Sequence, residues 1–219
     1  MENNDSKIKA VILDLDQTIT TDEASWLQFT RILGADPVVH AQIYENFKQE
    51  NITYPDAKAQ LLNLWQKTGK ANRQNIQESF AKIQLRDGAL DAIEYLRGKY
   101  HLCIISGAID QFVQIISEKL EINTWYASTR LKFDSQENLV DFDYKLSRGE
   151  EKLHFLEEYC NKKNIKHSQC AAIGDGESDM PIFSKVRLPI LFLAKETSAQ
   201  QRKLIPTQME DWSEIYDIL

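Results

Sequence analysis

The chain has 219 residues, 27% of them charged and 10% aromatic, an ordinary globular balance that can bury a sizeable core in one domain or one domain with an insertion. Its formal charge of −7 argues against nucleic acid or an anionic membrane as partner, and no apolar run approaches the length of a membrane span. Three cysteines, Cys103, Cys160 and Cys170, form no C-x-x-C pair; with a polar, acidic start lacking a signal-peptide pattern, they read as reduced core thiols of a cytoplasmic protein.

In chain order, residues 8–14 read as a first strand, because Val11-Ile12-Leu13 is short, apolar and β-branched. Residues 22–85 change character. Helical spacing runs through Trp26, Phe29, Ile32 and Leu33 and again through Ala57, Leu61, Leu62 and Trp65, with breakers between Gly34 and Pro37, at Pro55 and at Gly69. This stretch reads as a small subdomain of about four helices. An α/β rhythm follows: a helix over 87–97, a strand over 101–105, a helix from Ile109 to Leu120, and strands over 125–133 and 139–144 that suit a hairpin. A helix from Glu150 to Lys162, strands over 170–174 and 188–193, and a short closing helix over 212–219 complete it. The alternation predicts an α/β protein with a mostly parallel sheet covered on both faces.

Four places carry chemistry. Asp14 and Asp16 close the first strand, spaced i, i+2, with Thr18 behind them. Ligands of an open α/β sheet bind at the carboxyl ends of its strands. Two carboxylates crowded there repel each other and resist desolvation. A cation relieves both problems and leaves a carboxylate free for covalent or acid–base work; the plainer alternative is that Asp14 caps the next element. Ser106-Gly107 ends a second strand, where a hydroxyl and backbone N–H groups at a helix start suit an anion, or merely cap the helix. Lys152 lies early in a helix, mismatched to the dipole, which gives cause to look beyond the default of a solvated surface lysine. Finally, Gly174-Asp175-Gly176-Glu177-Ser178-Asp179 ends a strand with two carboxylates of the kind hard cations take, against the alternative of an Asp-Gly turn with a cap.

The ordered set Asp-x-Asp-x-Thr, Ser-Gly, Lys, Gly-Asp-Gly-x-x-Asp resembles the haloacid dehalogenase superfamily over nearly the whole chain. Within it the chain is most similar to the phosphoserine phosphatase-like branch, whose helical cap falls between the first and second motifs. The run Ser106-Gly107-Ala108-Ile109-Asp110 is similar to that branch's second motif, and the interval from Lys152 to Asp175 matches as well, with Arg148 a competing candidate for the basic residue. The resemblance implies a Rossmann-like core of residues 1–21 and 86–219, with a cap of residues 22–85 inserted after the first strand. It implies a Mg²⁺-dependent phosphatase acting on a small phosphorylated metabolite, as a monomer or dimer.

In such an enzyme Asp14 takes the phosphoryl group, and Asp16 protonates the leaving oxygen and then activates water. Mg²⁺ is held by Asp14, the main-chain carbonyl of Asp16 and Asp175; Asp179 orients the metal's water shell or holds Lys152. Ser106, Gly107 and Lys152 bind the phosphoryl oxygens. Asp at position 16 favours prompt hydrolysis. A phosphotransferase to a small acceptor stays open, as does a non-catalytic phosphate-binding protein on the same fold, while the helical insertion argues against a receiver-like domain.

Substrate choice rests on the cap. Glu23 stands where a phosphoserine phosphatase keeps a glutamate for the substrate ammonium, or is a solvated charge beside Asp22 at a helix start. The arginine that clamps the serine carboxylate in that branch falls near Leu61, and no arginine occurs between Arg31 and Arg73, which counts against phosphoserine. Lys58 is a point-charge stand-in, not a bidentate fork. Trp26, Phe29, Tyr54 and Trp65 offer pocket walls, although aromatic residues at helical spacing usually form core.

Overall fold

The β-branched run ahead of Asp14 becomes the middle of a seven-stranded sheet in the computed structural model, which describes residues 7–21, 23–144, 149–195 and 197–219. The strands are β1 (Ala10–Leu13), β2 (His101–Ile109), β3 (Trp125–Phe133), β4 (Leu139–Tyr144), β5 (Cys170–Gly174), β6 (Leu188–Phe192) and β7 (Gln208–Met209), in the spatial order β4-β3-β2-β1-β5-β6-β7. All neighbours are parallel except β3 and β4, which form the expected antiparallel hairpin.

Side chains alternate along each buried strand. Val11, Leu13, Ile104 and Ile173 pack into one apolar layer, with Ile93 of α5 (Ala89–Arg97), Phe112 of α6 (Asp110–Lys119) and Trp212. Ile12, Cys103, Ile105 and Ala172 point into the other layer, beneath Leu156 and Tyr159 of α7 (Glu150–Lys163) and Ile182 of α8 (Met180–Phe183). Cys103, Cys160 and Cys170 are buried free thiols. Two short helices follow, α9 (Ala199–Leu204) and α10 (Ile215–Ile218). None of the helices among the described residues is long and apolar enough to cross a membrane.

Between β1 and α5 run α1 (Ser25–Ile32), α2 (Pro37–Lys48), α3 (Tyr54–Gln66) and α4 (Arg73–Phe80). Local chemistry starts three of them. Asp36 accepts from Val38 N ahead of Pro37, Thr53 forms a capping box with Asp56, and Asn72 accepts from Asn75 N. Trp65 is fully buried against Trp26, Phe29 and Phe142, so the helically spaced aromatics are chiefly core. Phe29 stacks on Phe80 at 5.3 Å and Phe80 meets Phe112 at 5.2 Å, so this interior is continuous with the sheet layer. The helix α3 covers the edge strand β4: Gln66 donates to the Leu139 carbonyl, Tyr54 Oη accepts from Tyr144 N, and Lys58 Nζ lies 2.6 Å from Asp141 Oδ1.

One topological detail positions everything else. The chain builds outward from β1 through β2, β3 and β4, then returns over α7 to β5 on the opposite side of β1. The direction reverses between β1 and β5, which is where a parallel sheet opens a crevice at its carboxyl end.

Candidate active site

Asp14 and Asp175 stand on the two lips of that crevice. Leu13 is in register with Ile173, and Asp14 N donates to the Ile173 carbonyl at 2.9 Å, so Asp14 leaves the sheet beside the Gly174-Asp175 turn. Lys152 comes down from the first turn of α7 and is only 3% exposed. Its Nζ lies 2.8 Å from both Asp14 Oδ1 and Asp179 Oδ1. The contact with Asp179 is a well-formed hydrogen bond; that with Asp14 lies off the bonding direction, and Asp14 Oδ1 is buried without a hydrogen bond. Asp179 Oδ2 accepts from Gly176 N at 3.1 Å, so both of its oxygens are engaged.

Two glycines permit this approach. A Cβ on Gly174 would sit 2.4 Å from Asp179 Cγ. One on Gly149, which has φ +92°, would sit 2.3 Å from the Ser178 carbonyl oxygen, so α7 could not seat Lys152 over the Asp175–Asp179 loop with a larger residue there.

The loop after Asp14 is fixed from several sides. Thr18 Oγ1 donates to Asp175 Oδ1 at 3.1 Å, joining the first and last motifs. Trp212 Nε1 donates to the Thr18 carbonyl at 3.1 Å. Arg86 donates through Nε and Nη2 to the Gln17 carbonyl, holding Gln17 at φ 60°, a conformation that L residues adopt only at a cost. The Asp16 carboxylate turns toward α1: Oδ1 accepts from Ser25 N at 3.1 Å and Oδ2 accepts from Ser25 Oγ at 2.7 Å.

Crowding of buried charge sets the protonation states. Burial pushes Asp16 up to about 7, an effect the Ser25 hydroxyl opposes and the Asp14 charge reinforces. Burial raises Asp175 to about 8, reinforced by Asp14 and Asp179. Asp179 is also raised by burial, with Lys152 opposing. For Lys152, burial favours the neutral amine, but Asp14 and Asp179 outweigh it and keep the pKa above the ordinary lysine value.

One carboxylate oxygen each from Asp14, Asp175 and Asp179 lies within 4.8 Å of the others. These are hard, mutually repelling oxygen donors, and Asp14 also carries a buried oxygen with no hydrogen bond, a set that suits a hard divalent cation. The Asp16 carboxylate is outside the group because Ser25 holds it elsewhere.

One sequence expectation needs correction. The strand does not end at Ser106-Gly107: β2 continues to Ile109 through an irregularity beside β3, with Thr129 Oγ1 donating to the Gly107 carbonyl, and α6 starts only at Asp110. Ser106 is therefore a buried strand residue, its Oγ accepting from Ala108 N at 3.3 Å, not a helix-start residue. Glu23, just ahead of α1, pairs with Arg31 Nη1 at 2.5 Å, a partly exposed contact that agrees with its reading as a surface charge. Arg148 and Asp22 lie outside the described residues. Ser25, Arg86 and Trp212 carried no local signal, because their partners stand far off in sequence or belong to another element. A cavity of about 890 Å³ opens from Asp175 and Gly176 past Gln17 toward Lys48 of α2 and Gln201 of α9.

The fold and site define a class: a parallel α/β protein with a carboxylate–lysine centre at the switch point of its sheet. The family of haloacid dehalogenase-like hydrolases matches residues 11–184, and the chain belongs to it. A phosphoserine phosphatase of Methanocaldococcus jannaschii is 23% identical over 192 residues, which span 87% of this chain and 88% of that protein. Among solved structures, a phospho-aspartyl intermediate analogue of phosphoserine phosphatase shares the fold with TM-score 0.75 at 22% identity, over 97% of this chain and 99% of that one. A substrate-bound phosphoserine phosphatase complex gives TM-score 0.74 at 23% identity over the same shares, 97% and 99%.

Proposed function

We propose that the chain is a Mg²⁺-dependent phosphatase that hydrolyses a small phosphomonoester through a phosphoryl group carried on Asp14. The observation that carries this reading is Lys152, buried and 2.8 Å from both Asp14 and Asp179, with Asp175 beside them. Phosphoryl transfer asks mainly for positioning and charge neutralisation. A fixed cation against a nucleophilic carboxylate supplies both.

Asp14 attacks phosphorus as the bond to the alcohol oxygen breaks, and Asp16 gives its proton to that oxygen. Asp16, now a carboxylate, then takes a proton from the water that attacks the phosphoryl-aspartate, releasing phosphate and restoring Asp14. A pKa of about 7 lets Asp16 hold either state near neutrality. Lys152 neutralises the phosphoryl oxygens, Ser106 and Gly107 bind them, and Asp179 keeps Lys152 in place. Asp14, the main-chain carbonyl of Asp16 and Asp175 would hold Mg²⁺, which when bound neutralises charge on the phosphoryl group and the carboxylates.

Residues 1–21 and 86–219 form the catalytic core in this reading, and residues 22–85 a cap that selects the alcohol. The relatives named as phosphoserine phosphatases favour a small, polar ester. The cap's own charges favour one other than phosphoserine. Glu23 is neutralised by Arg31, Lys58 is held by Asp141, and no arginine occurs between Arg31 and Arg73, where that branch is expected to keep one near Leu61.

The test is Mg²⁺-dependent phosphate release from phosphoserine, phosphothreonine, phosphoethanolamine, phosphocholine, sugar phosphates and nucleotides, with Asp14→Asn as control. The expected result is turnover of esters lacking a carboxylate in preference to phosphoserine, abolished in the variant. Release from none of them, or release that survives Asp14→Asn, rejects the proposal.

A further inference from the structure

Asp16 has an unusual partner for a group read as the proton donor of the site. Both of its carboxylate oxygens are taken by a single residue, Ser25, through the backbone N–H at 3.1 Å and the hydroxyl at 2.7 Å. Ser25 is fully buried and is the first residue of α1. The residue before it, Ala24, provides no side-chain cap, so an N–H at the start of α1 would be unpaired without Asp16. The carboxylate two residues past Asp14 thus replaces the missing cap of the first inserted helix. One bond to each oxygen fixes the plane of the carboxyl group and still leaves a lone-pair site on each oxygen for a proton.

We infer that Ser25 is a positioning residue that aims the Asp16 carboxyl group at the leaving oxygen and ties it to the first helix of the inserted segment. The inference rests on the phosphatase reading above. A hydroxyl that only completed the packing of α1 would affect every substrate alike. A hydroxyl that orients the proton donor matters in proportion to how much the leaving group needs a proton. An alkoxide departs poorly without one, whereas p-nitrophenolate needs little help.

The experiment compares kcat/KM, which reports phosphoryl transfer to Asp14 and not the later hydrolysis, for p-nitrophenyl phosphate and for the best alkyl phosphate of the panel. Ser25→Ala should lower kcat/KM for the alkyl ester about 10-fold or more, a share of the usual general-acid contribution, while changing that for p-nitrophenyl phosphate by less than about 3-fold. Ser25→Thr, which keeps both donors, should restore the alkyl ester. In an Asp16→Asn background, Ser25→Ala should add no leaving-group-dependent loss. If Ser25→Ala does not fold, Ser25→Cys carries the same comparison with a weaker donor. Equal losses on both esters, no loss, or a leaving-group-dependent loss that persists without Asp16 overturns the inference. A wild-type protein inactive on both esters instead rejects the phosphatase reading.

Discussion

The strand ends and the inserted helices keep their charges in opposite ways. Around Asp14 the ionisable side chains are inside: Lys152 and Asp179 are each 3% exposed and Asp14 is 6% exposed. In the helical segment the interior is aromatic, built on Trp65, Phe29 and Phe80, while its ion pairs sit outside, as with Arg31 and Glu23, whose side chains are 57% and 32% exposed. Surface pairs contribute little and can be exchanged. Buried pairs resist desolvation and add little net stability over apolar packing, so a chain that keeps one keeps it for another reason. In the phosphatase reading proposed above, the chemistry belongs to the sheet and selection of the alcohol to the helices.

The largest effect that would break this division is at Lys152. Lys152→Gln leaves Asp14 and Asp179 facing each other without a cation. Turnover should fall by about 10³-fold, roughly 4 kcal/mol of transition-state stabilisation. Stability should fall more at pH 8 than at pH 5.5, because protons can replace the lost charge only in acid. A variant with near-normal turnover would remove the sheet's claim to the chemistry.

Next in size is the response to a cation. The folded-state pKa values of Asp16 and Asp175, about 7 and about 8, lie above the ordinary 3.8. Folding therefore favours their protonated forms. That contribution is fully present below pH 3.8 and is lost as pH rises through 7 to 8, so the metal-free protein should lose thermal stability over this window. Mg²⁺ should raise the melting temperature, and more at pH 8.5 than at pH 6. Asp175→Asn should be more stable than the parent without metal at pH 8.5, and should respond little to Mg²⁺. An undiminished response in that variant would place the cation elsewhere.

The same contrast explains what could be read from the sequence. The sheet strands are buried on both faces, so they stand out as apolar runs, and Asp14 and Asp175 stand out because carboxylates follow such runs. Lys152 drew attention through its mismatch with the helix dipole and its interval to Asp175; its burial depends on a close approach of α7 that Gly149 and Gly174 permit. The extension of β2 through Ser106 to Ile109 was hidden, because pairing with β3 continues past a Ser-Gly step that locally reads as a stop. The short α8, α9 and β7 carry too few residues for a period to register. Ser25 as the partner of Asp16, and Trp212 as the partner of the Thr18 carbonyl, are tertiary contacts with no local pattern. In the helical segment the aromatic spacing indicated core, but the neighbours of Glu23 and Lys58 depended on packing.

A smaller effect separates the two regions by the sign of their pH dependence. His40 of α2 is buried, 2.5 Å from Thr30 Oγ1, and burial lowers its pKa from 6.5 to about 4. Folding requires the neutral ring. Its contribution is present above pH 6.5 and is lost as pH falls toward 4, by up to about 3 kcal/mol. This opposes the acidic groups of the sheet, which gain as pH falls. Urea unfolding of wild type and His40→Gln at pH 7 and 4.5 should show a smaller acid-dependent loss in the variant. An equal loss in both would mean that the helical segment has no acid sensitivity of its own.

The smallest effect tests the division most closely. Glu23 pairs with Arg31 at a partly exposed site, so Glu23→Gln should change stability by less than about 0.5 kcal/mol. Because its charge is already neutralised by Arg31 of α1, the variant should change KM by the same small factor for phosphoethanolamine and for an ester without an amine. A KM that rises about 10-fold for phosphoethanolamine alone, worth roughly 1.4 kcal/mol, would mean that Glu23 leaves Arg31 to bind the substrate ammonium. The helices would then recognise charge in their own right, and a phosphorylated amino acid or amine would become the better substrate class.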